Sequence, residues 1–104
     1  MPMPVFDQDD NMLMLELSEV FCIYKNENTR RIIVEARCGV YYLPSTIIQI
    51  KNIMEPSGFI QIDSNRLVNS RHIKDFDYDV IAVDGKSYYV SRSNRKAVRT
   101  FLGK

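Results

Sequence analysis

The sequence predicts a mostly β domain with two short helices. Three observations carry this expectation: apolar and polar residues alternate in several short segments, Asp84-Gly85 separates two of them, and only two stretches show helical spacing. In chain order, residues 1–11, with Pro2, Pro4, Asp7, Asp9 and Asp10, read as a flexible leader ahead of a domain spanning 12–104. Leu13, Leu15 and Leu17 alternate with weaker or polar neighbours and predict a strand. Val20–Tyr24 predicts a second after Ser18-Glu19. The polar run Lys25–Arg30 is a hairpin loop. From Arg31 to Arg37, Ile32, Val34 and Ala36 share one face and Arg31, Glu35 and Arg37 the other, with only Ile33 breaking the pattern of a half-buried strand. Cys38-Gly39 turns the chain, and Val40–Leu43 pairs back.

After Pro44 the period changes. Ile47, Ile50 and Met54 fall at i, i+3 and i+7 behind a hydroxyl residue suited to capping, which predicts a helix over about 46–54. Pro56-Ser57-Gly58 closes it. Phe59–Asp63 alternates again as a strand. Ser64-Asn65-Arg66 reads as a loop before the apolar pair Leu67-Val68 and the polar Asn69–His72. Ile73–Val83 reads as one or two strands with Phe76, Tyr78, Val80 and Ala82 on one alternation. Asp84-Gly85 is a strong hairpin signal, because both turn positions need positive φ, and Ser87–Val90 returns antiparallel. Ala97, Val98, Phe101 and Leu102 form the stripe of a basic amphipathic helix within Ser91–Leu102, with Arg92, Arg95, Lys96 and Arg99 off it.

A chain of 104 residues with 45% hydrophobic and 26% charged residues is one ordinary globular domain, too small for a cleft between domains. Its longest apolar run, Val20–Tyr24, is far short of the roughly 20 residues that cross a bilayer. No cationic leader precedes it, so a cytoplasmic address is expected. Cys22 and Cys38 lack metal or redox spacing and read as small strand hydrophobes. The single histidine, His72, has no second histidine and no nearby cysteine pair. The glycines stand singly at element ends, so no phosphate-cradling loop is present. The acidic residues Asp75, Asp77 and Asp79 sit at i, i+2 on a strand, where solvated edge charge explains them better than acid–base chemistry. No enzyme, metal site, cofactor or small-molecule substrate is expected.

Charge is unevenly distributed. Residues 1–63 hold five Lys/Arg against nine Asp/Glu, a net of −4, whereas residues 64–104 hold nine against four, a net of +5. Arg30, Asn65, Arg66, Arg92 and Asn94 are of the types that pair with base edges in a major groove, arginine with guanine and asparagine with adenine. Each interrupts apolar structure that can hold it at an edge of a β scaffold. Arg71, Arg95, Lys96 and Arg99 are candidates for phosphates.

The run Phe59–Ile73 followed by Val83–Arg92 resembles the LytTR DNA-binding domain of bacterial transcription regulators. Val68-Asn69, Ile73, Gly85 and Val90-Ser91-Arg92 occur in that family's order and spacing. Upstream, Glu19–Tyr24 resembles its early strand and Leu43–Met54 its leucine-rich helix, so the likeness covers about residues 12–102. It implies an elongated arrangement of small antiparallel sheets with two short helices. It also implies a bacterial, cytoplasmic regulator, the output domain of a response regulator, that docks loops into successive major grooves of promoter DNA. Such domains act as pairs on direct repeats, hence as a homodimer on DNA. Carried over by position, the base-reading loops hold Arg30, Ser64 and Ser93, with Asn65, Arg66, Arg92 and Asn94 beside them. Asn69 corresponds to a residue that anchors a loop through backbone hydrogen bonds.

One departure bears on affinity. Where the family has His-Arg-Ser-aromatic, this chain has Asp63-Ser64-Asn65-Arg66, which sets an anion beside the expected phosphate path. The alternative reading is therefore an interaction or dimerisation module that keeps the fold without the DNA function. A third, single-stranded RNA binding, would use outward members of the pairs Tyr41-Tyr42 and Tyr88-Tyr89.

Overall fold

The computed structural model describes residues 2–77 and 79–103. Ten strands pair antiparallel: β1 (Pro2–Phe6), β2 (Met12–Glu16), β3 (Val20–Lys25), β4 (Ile32–Ala36), β5 (Gly39–Leu43), β6 (Phe59–Asp63), β7 (Arg66–Asn69), β8 (Ile73–Asp77), β9 (Val80–Val83) and β10 (Lys86–Tyr89). Two helices, α1 (Ile47–Met54) and α2 (Arg95–Phe101), complete the fold. Seven strands make one sheet in the order β2-β1-β5-β4-β3-β7-β6, and β10-β9-β8 make a second. The body measures 40 × 25 × 24 Å, the elongated shape expected.

Both faces of the large sheet are covered, which explains why its central strands are apolar throughout. On one face Ile50 and Met54 of α1 pack with Val5, Leu15, Ile23, Val34, Phe59 and Leu67. On the other, Cys22, Ile60, Ile62 and Val68 meet Phe76, Ile81 and Val83 of the small sheet and Val98 of α2. Neighbours such as Leu67 and Val68 thus enter different cores. Ile33, the residue that breaks the β4 alternation, is buried with both its neighbours because β4 lies between β3 and β5.

Thr46 caps α1 through a capping box: its Oγ1 accepts from Gln49 N at 3.2 Å while the Gln49 Oε1 accepts from Thr46 N at 3.3 Å. The helix ends in a 3-10 turn closed by Gly58 at φ 98°, where a side chain would be strained. Asp84 and Gly85 both take positive φ, and Val83 faces Lys86 across that turn.

Several expectations are corrected. The leader expected over residues 1–11 is replaced, among the described residues, by structure within the domain: Pro2–Phe6 is a strand paired with β2 and β5, and Met3 and Val5 are buried. Two prolines in a short segment suggested a leader, yet both side chains face outward and Met3 and Val5 alternate inward. Ser64-Asn65-Arg66 is a two-residue turn rather than a loop, because Arg66 pairs with Asp63 and begins β7. Ile73–Val83 forms two strands, within the expectation, but the inward residues are Phe76, Ile81 and Val83 rather than the single alternation through Val80 and Ala82. Tyr78 lies outside the described residues. On α2 only Val98 is fully buried, whereas Ala97 and Phe101 are exposed. Cys38 is no strand hydrophobe: it lies exposed in the β4–β5 turn.

Candidate nucleic-acid interface

Three polar segments meet at one end of the large sheet. Asn26–Arg31 joins β3 to β4, Ser64-Asn65 joins β6 to β7, and Ser91–Asn94 leads from β10 into α2. Backbone hydrogen bonds tie them together. Lys25 N donates to Asn65 O at 2.9 Å, linking the first to the second, and Ser91 N donates to Ile62 O at 2.8 Å, linking the third to the strand that enters the second. Between the first two lies a cleft of about 450 Å³.

The first loop is held by its own hydrogen bonds. Asn26 Oδ1 accepts from Asn28 N at 2.9 Å and Thr29 N at 3.1 Å, and Arg30 N donates to Asn26 O at 2.7 Å. This places Arg30 at φ 60°, a left-handed conformation that is unfavourable for a residue with a side chain. The Arg30 guanidinium is exposed and has no hydrogen-bond or ion-pair partner among the described residues. In the second segment Asp63 Oδ1 accepts from Asn65 N at 2.7 Å, so the anion that departs from the family pattern shapes the turn. The Asn65 Nδ2 donates to Glu27 Oε1 at 2.9 Å, and Ser64 is exposed at the tip.

Arg66 is placed differently from its neighbours. Its guanidinium lies 4.4 Å from the ring centroids of both Tyr24, on β3, and Tyr88, on β10, and its Nη1 is 3.6 Å from Cys22 Sγ. It bridges the two sheets. Glu35 and Lys86 flank this cluster with an ion pair at 3.3 Å. Burial, then the Glu35 carboxylate, pushes the Cys22 thiol up to about 11. Burial also raises Tyr24 and Tyr88 above the ordinary phenol range.

In the third segment Arg92 and Ser93 are exposed, and the Arg92 side chain has no partner among the described residues. The Asn94 Nδ2 donates to Ser91 Oγ at 2.6 Å and so braces its own turn. Arg95 is half-buried, donating from Nε to Val90 O at 3.1 Å with its Nη2 3.7 Å from Asp79 Oδ2. Lys96 and Arg99 are exposed on α2.

Arg71 is not brought to this end. It lies past the far end of β7, beside Leu17, Ser18 and Ser57. Asn69, 2% exposed, donates from Nδ2 to Leu17 O at 3.1 Å and Val20 O at 3.0 Å and accepts from Arg71 N at 3.1 Å. His72 supports the same turn, its Nε2 lying 2.6 Å from Ser18 O. Glu27, Tyr24 and Tyr88 belong to the site without having been singled out for these roles. No local signal in the sequence marks the tyrosines, because Arg66 meets Tyr24 and Tyr88 only once the two sheets are stacked.

No curated protein matches the chain in sequence. Among solved structures it is similar to the LytTr DNA-binding domain of a Bacillus cereus protein described as a methyl-accepting/DNA response regulator. The TM-score is 0.87 at 19% identity, over 99% of this chain and 97% of the other. The sequence profile of the LytTr DNA-binding domain matches residues 10–103 and so takes in all three converging segments, both sheets from β2 onward and both helices. The chain belongs to the LytTR DNA-binding domain family.

Proposed function

We propose that this DNA-binding domain is a sequence-specific regulator that presents three segments to successive major grooves of promoter DNA, acting in pairs on direct repeats. The observation that supports this best is the convergence of the segments. Arg30, Ser64-Asn65 and Arg92-Ser93 stand at one end of a stacked pair of sheets, with both arginines exposed and their side chains without acceptors among the described residues. Arg30 and Arg92 suit guanine edges, and the Asn65 amide suits adenine. Lys96 and Arg99, on the helix that follows Arg92, supply phosphate contacts. Arg95 and Asn94 set the geometry of that segment, Arg66 ties the sheets, and Asn69 holds the Leu17–Val20 turn. The fold offers no cluster of metal-ligating residues among those described.

Selection from a random duplex pool at low and physiological salt tests the proposal. A recurrent motif repeated about one helical turn apart is the expected outcome. With Lys96 and Arg99 as its phosphate contacts, each domain should show log affinity falling against log salt with a slope of about −2. Arg99→Ala should reduce that slope by about 1, while Arg71→Ala, past the far end of β7, leaves it unchanged. Binding that enriches no motif and vanishes with salt refutes sequence reading. A chain indifferent to DNA that self-associates would favour the interaction module.

A further inference from the structure

A second cavity opens on the β5 side of the Asn26–Arg31 loop, with a volume of about 430 Å³, within the range of small-molecule sites. Phe6, Leu43 and Pro44 give it an apolar wall. Arg31 sits over Tyr42, its guanidinium carbon 3.9 Å from the ring centroid, which anchors the fork at the cavity. The Arg31 side chain has no acceptor among the described residues, and neither has that of Arg30, which lines the same cavity. Asp10, from the β1–β2 turn, completes the rim. That turn is built by Asp7, whose Oδ1 accepts from Asp9 N and Asn11 N at 2.9 Å each, and it sets Asp10 at φ 62°.

We infer that this cavity binds a small monocarboxylate with a flat apolar body, and that occupancy weakens DNA binding by engaging Arg30. A planar, preorganised guanidinium takes a carboxylate in a two-point contact, with the apolar body covered by Phe6, Leu43 and Pro44. Asp10 disfavours dianions such as phosphate at the same place. The regulatory half rests on the proposed DNA reading, because Arg30 is shared between this cavity and the groove-facing loop. The binding half does not.

The test is a titration of the full chain with phenylacetate, followed in amide ¹H–¹⁵N spectra without DNA. Saturable shifts confined to the Asp7–Asn11 turn, Arg30–Ile32 and Tyr42–Ser45 are expected. Arg31→Gln should weaken binding roughly tenfold or more. Asp10→Asn, tolerated at positive φ, should tighten it and admit inorganic phosphate, which the unaltered chain should not bind there. Shifts that never saturate, that Arg31→Gln leaves unchanged, or that phosphate reproduces equally overturn the site. Phenylacetate should then raise the DNA dissociation constant of the unaltered chain and not that of Arg31→Gln. Carboxylate binding without any DNA binding would sink the DNA reading and leave the site standing. Carboxylate binding with unchanged DNA affinity overturns the regulatory half.

Discussion

Arg66 is the residue for which sequence and structure suggest the most different experiments. As a base reader, its replacement would relax preference at one position of the DNA site and leave the fold alone. The geometry predicts the reverse for Arg66→Gln. Two aromatic faces, each 4.4 Å from the guanidinium, are lost together with the contact to Cys22. A cation over a ring contributes about 0.5 to 2 kcal/mol depending on desolvation, and Arg66 is half-buried. The expected destabilisation is therefore about 2 kcal/mol. In urea this should appear as a lower midpoint at unchanged slope, and on heating as a fall in Tm of about 10 °C. Arg66→Lys should recover only part of it, since an ammonium cannot lie flat between two rings. Because Tyr24 belongs to the large sheet and Tyr88 to the small one, the loosened contact moves Arg92 relative to Arg30. DNA affinity should then drop by a similar factor on every sequence while the selected motif stays the same. A variant as stable as the parent that loses preference at a single base pair would refute this reasoning and restore Arg66 as a reader.

Three further outcomes follow from the same structure. Asn69→Ala removes the buried side-chain donations to Leu17 O and Val20 O and the acceptor of Arg71 N, and should cost on the order of 3 kcal/mol in urea unfolding; a loss below about 1 kcal/mol would show that the turn holds itself. Arg30→Gly removes a side chain from a left-handed position, so the fold should be as stable or up to about 1 kcal/mol more stable while DNA affinity falls; a clear loss of stability would contradict strain at that site. The Cys22 thiol titrates at about 11 in the fold against 9.0 as a free group, so its neutral form stabilises the fold fully below pH 9. That contribution, at most about 2 to 3 kcal/mol, is lost as pH rises from 9 through 11. Urea midpoints measured from pH 8 to 11 should decline less steeply for Cys22→Ala than for the parent, and equal declines would contradict the assignment.

Legibility in the sequence tracked how local each feature is. The Asp84-Gly85 hairpin and the α1 cap are set by a few adjacent residues, so their chemistry was plain in the text of the chain. The strand Pro2–Phe6 was hidden because prolines at outward positions look like a linker until Met3 and Val5 find a core. The turn at Ser64-Asn65 was hidden by Arg66, a charged residue at a strand start, whose burial makes sense only with Tyr24 and Tyr88 on either side. The same limit applies to the site. Residue types alone grouped Arg71 and Arg95 with Lys96 and Arg99, but topology leaves Arg71 past the far end of β7 and turns Arg95 inward to Val90 and Asp79.

Asp63 shows how a charge that looks adverse in sequence can serve the site. A carboxylate near a phosphate path lowers affinity for any duplex, and Glu27 adds a second one to the same cleft. Yet each of them fixes Asn65. Asp63 accepts the Asn65 backbone N–H and sets the turn, while Glu27 takes one hydrogen of its side-chain amide. The amide keeps its oxygen and a second N–H, the acceptor and donor that a two-point contact with adenine requires. On the proposed reading, orientation gained in this way subtracts from the sequence-independent attraction and spares the base-edge contact proposed for Asn65, so discrimination between sites should gain relative to total affinity. Arg30 and Arg92, both exposed on segments hydrogen-bonded to this turn or its strand, return two positive charges to the same end. The proposed interface, with few cations and a pre-set asparagine, should therefore be better at choosing among duplexes than at holding all of them.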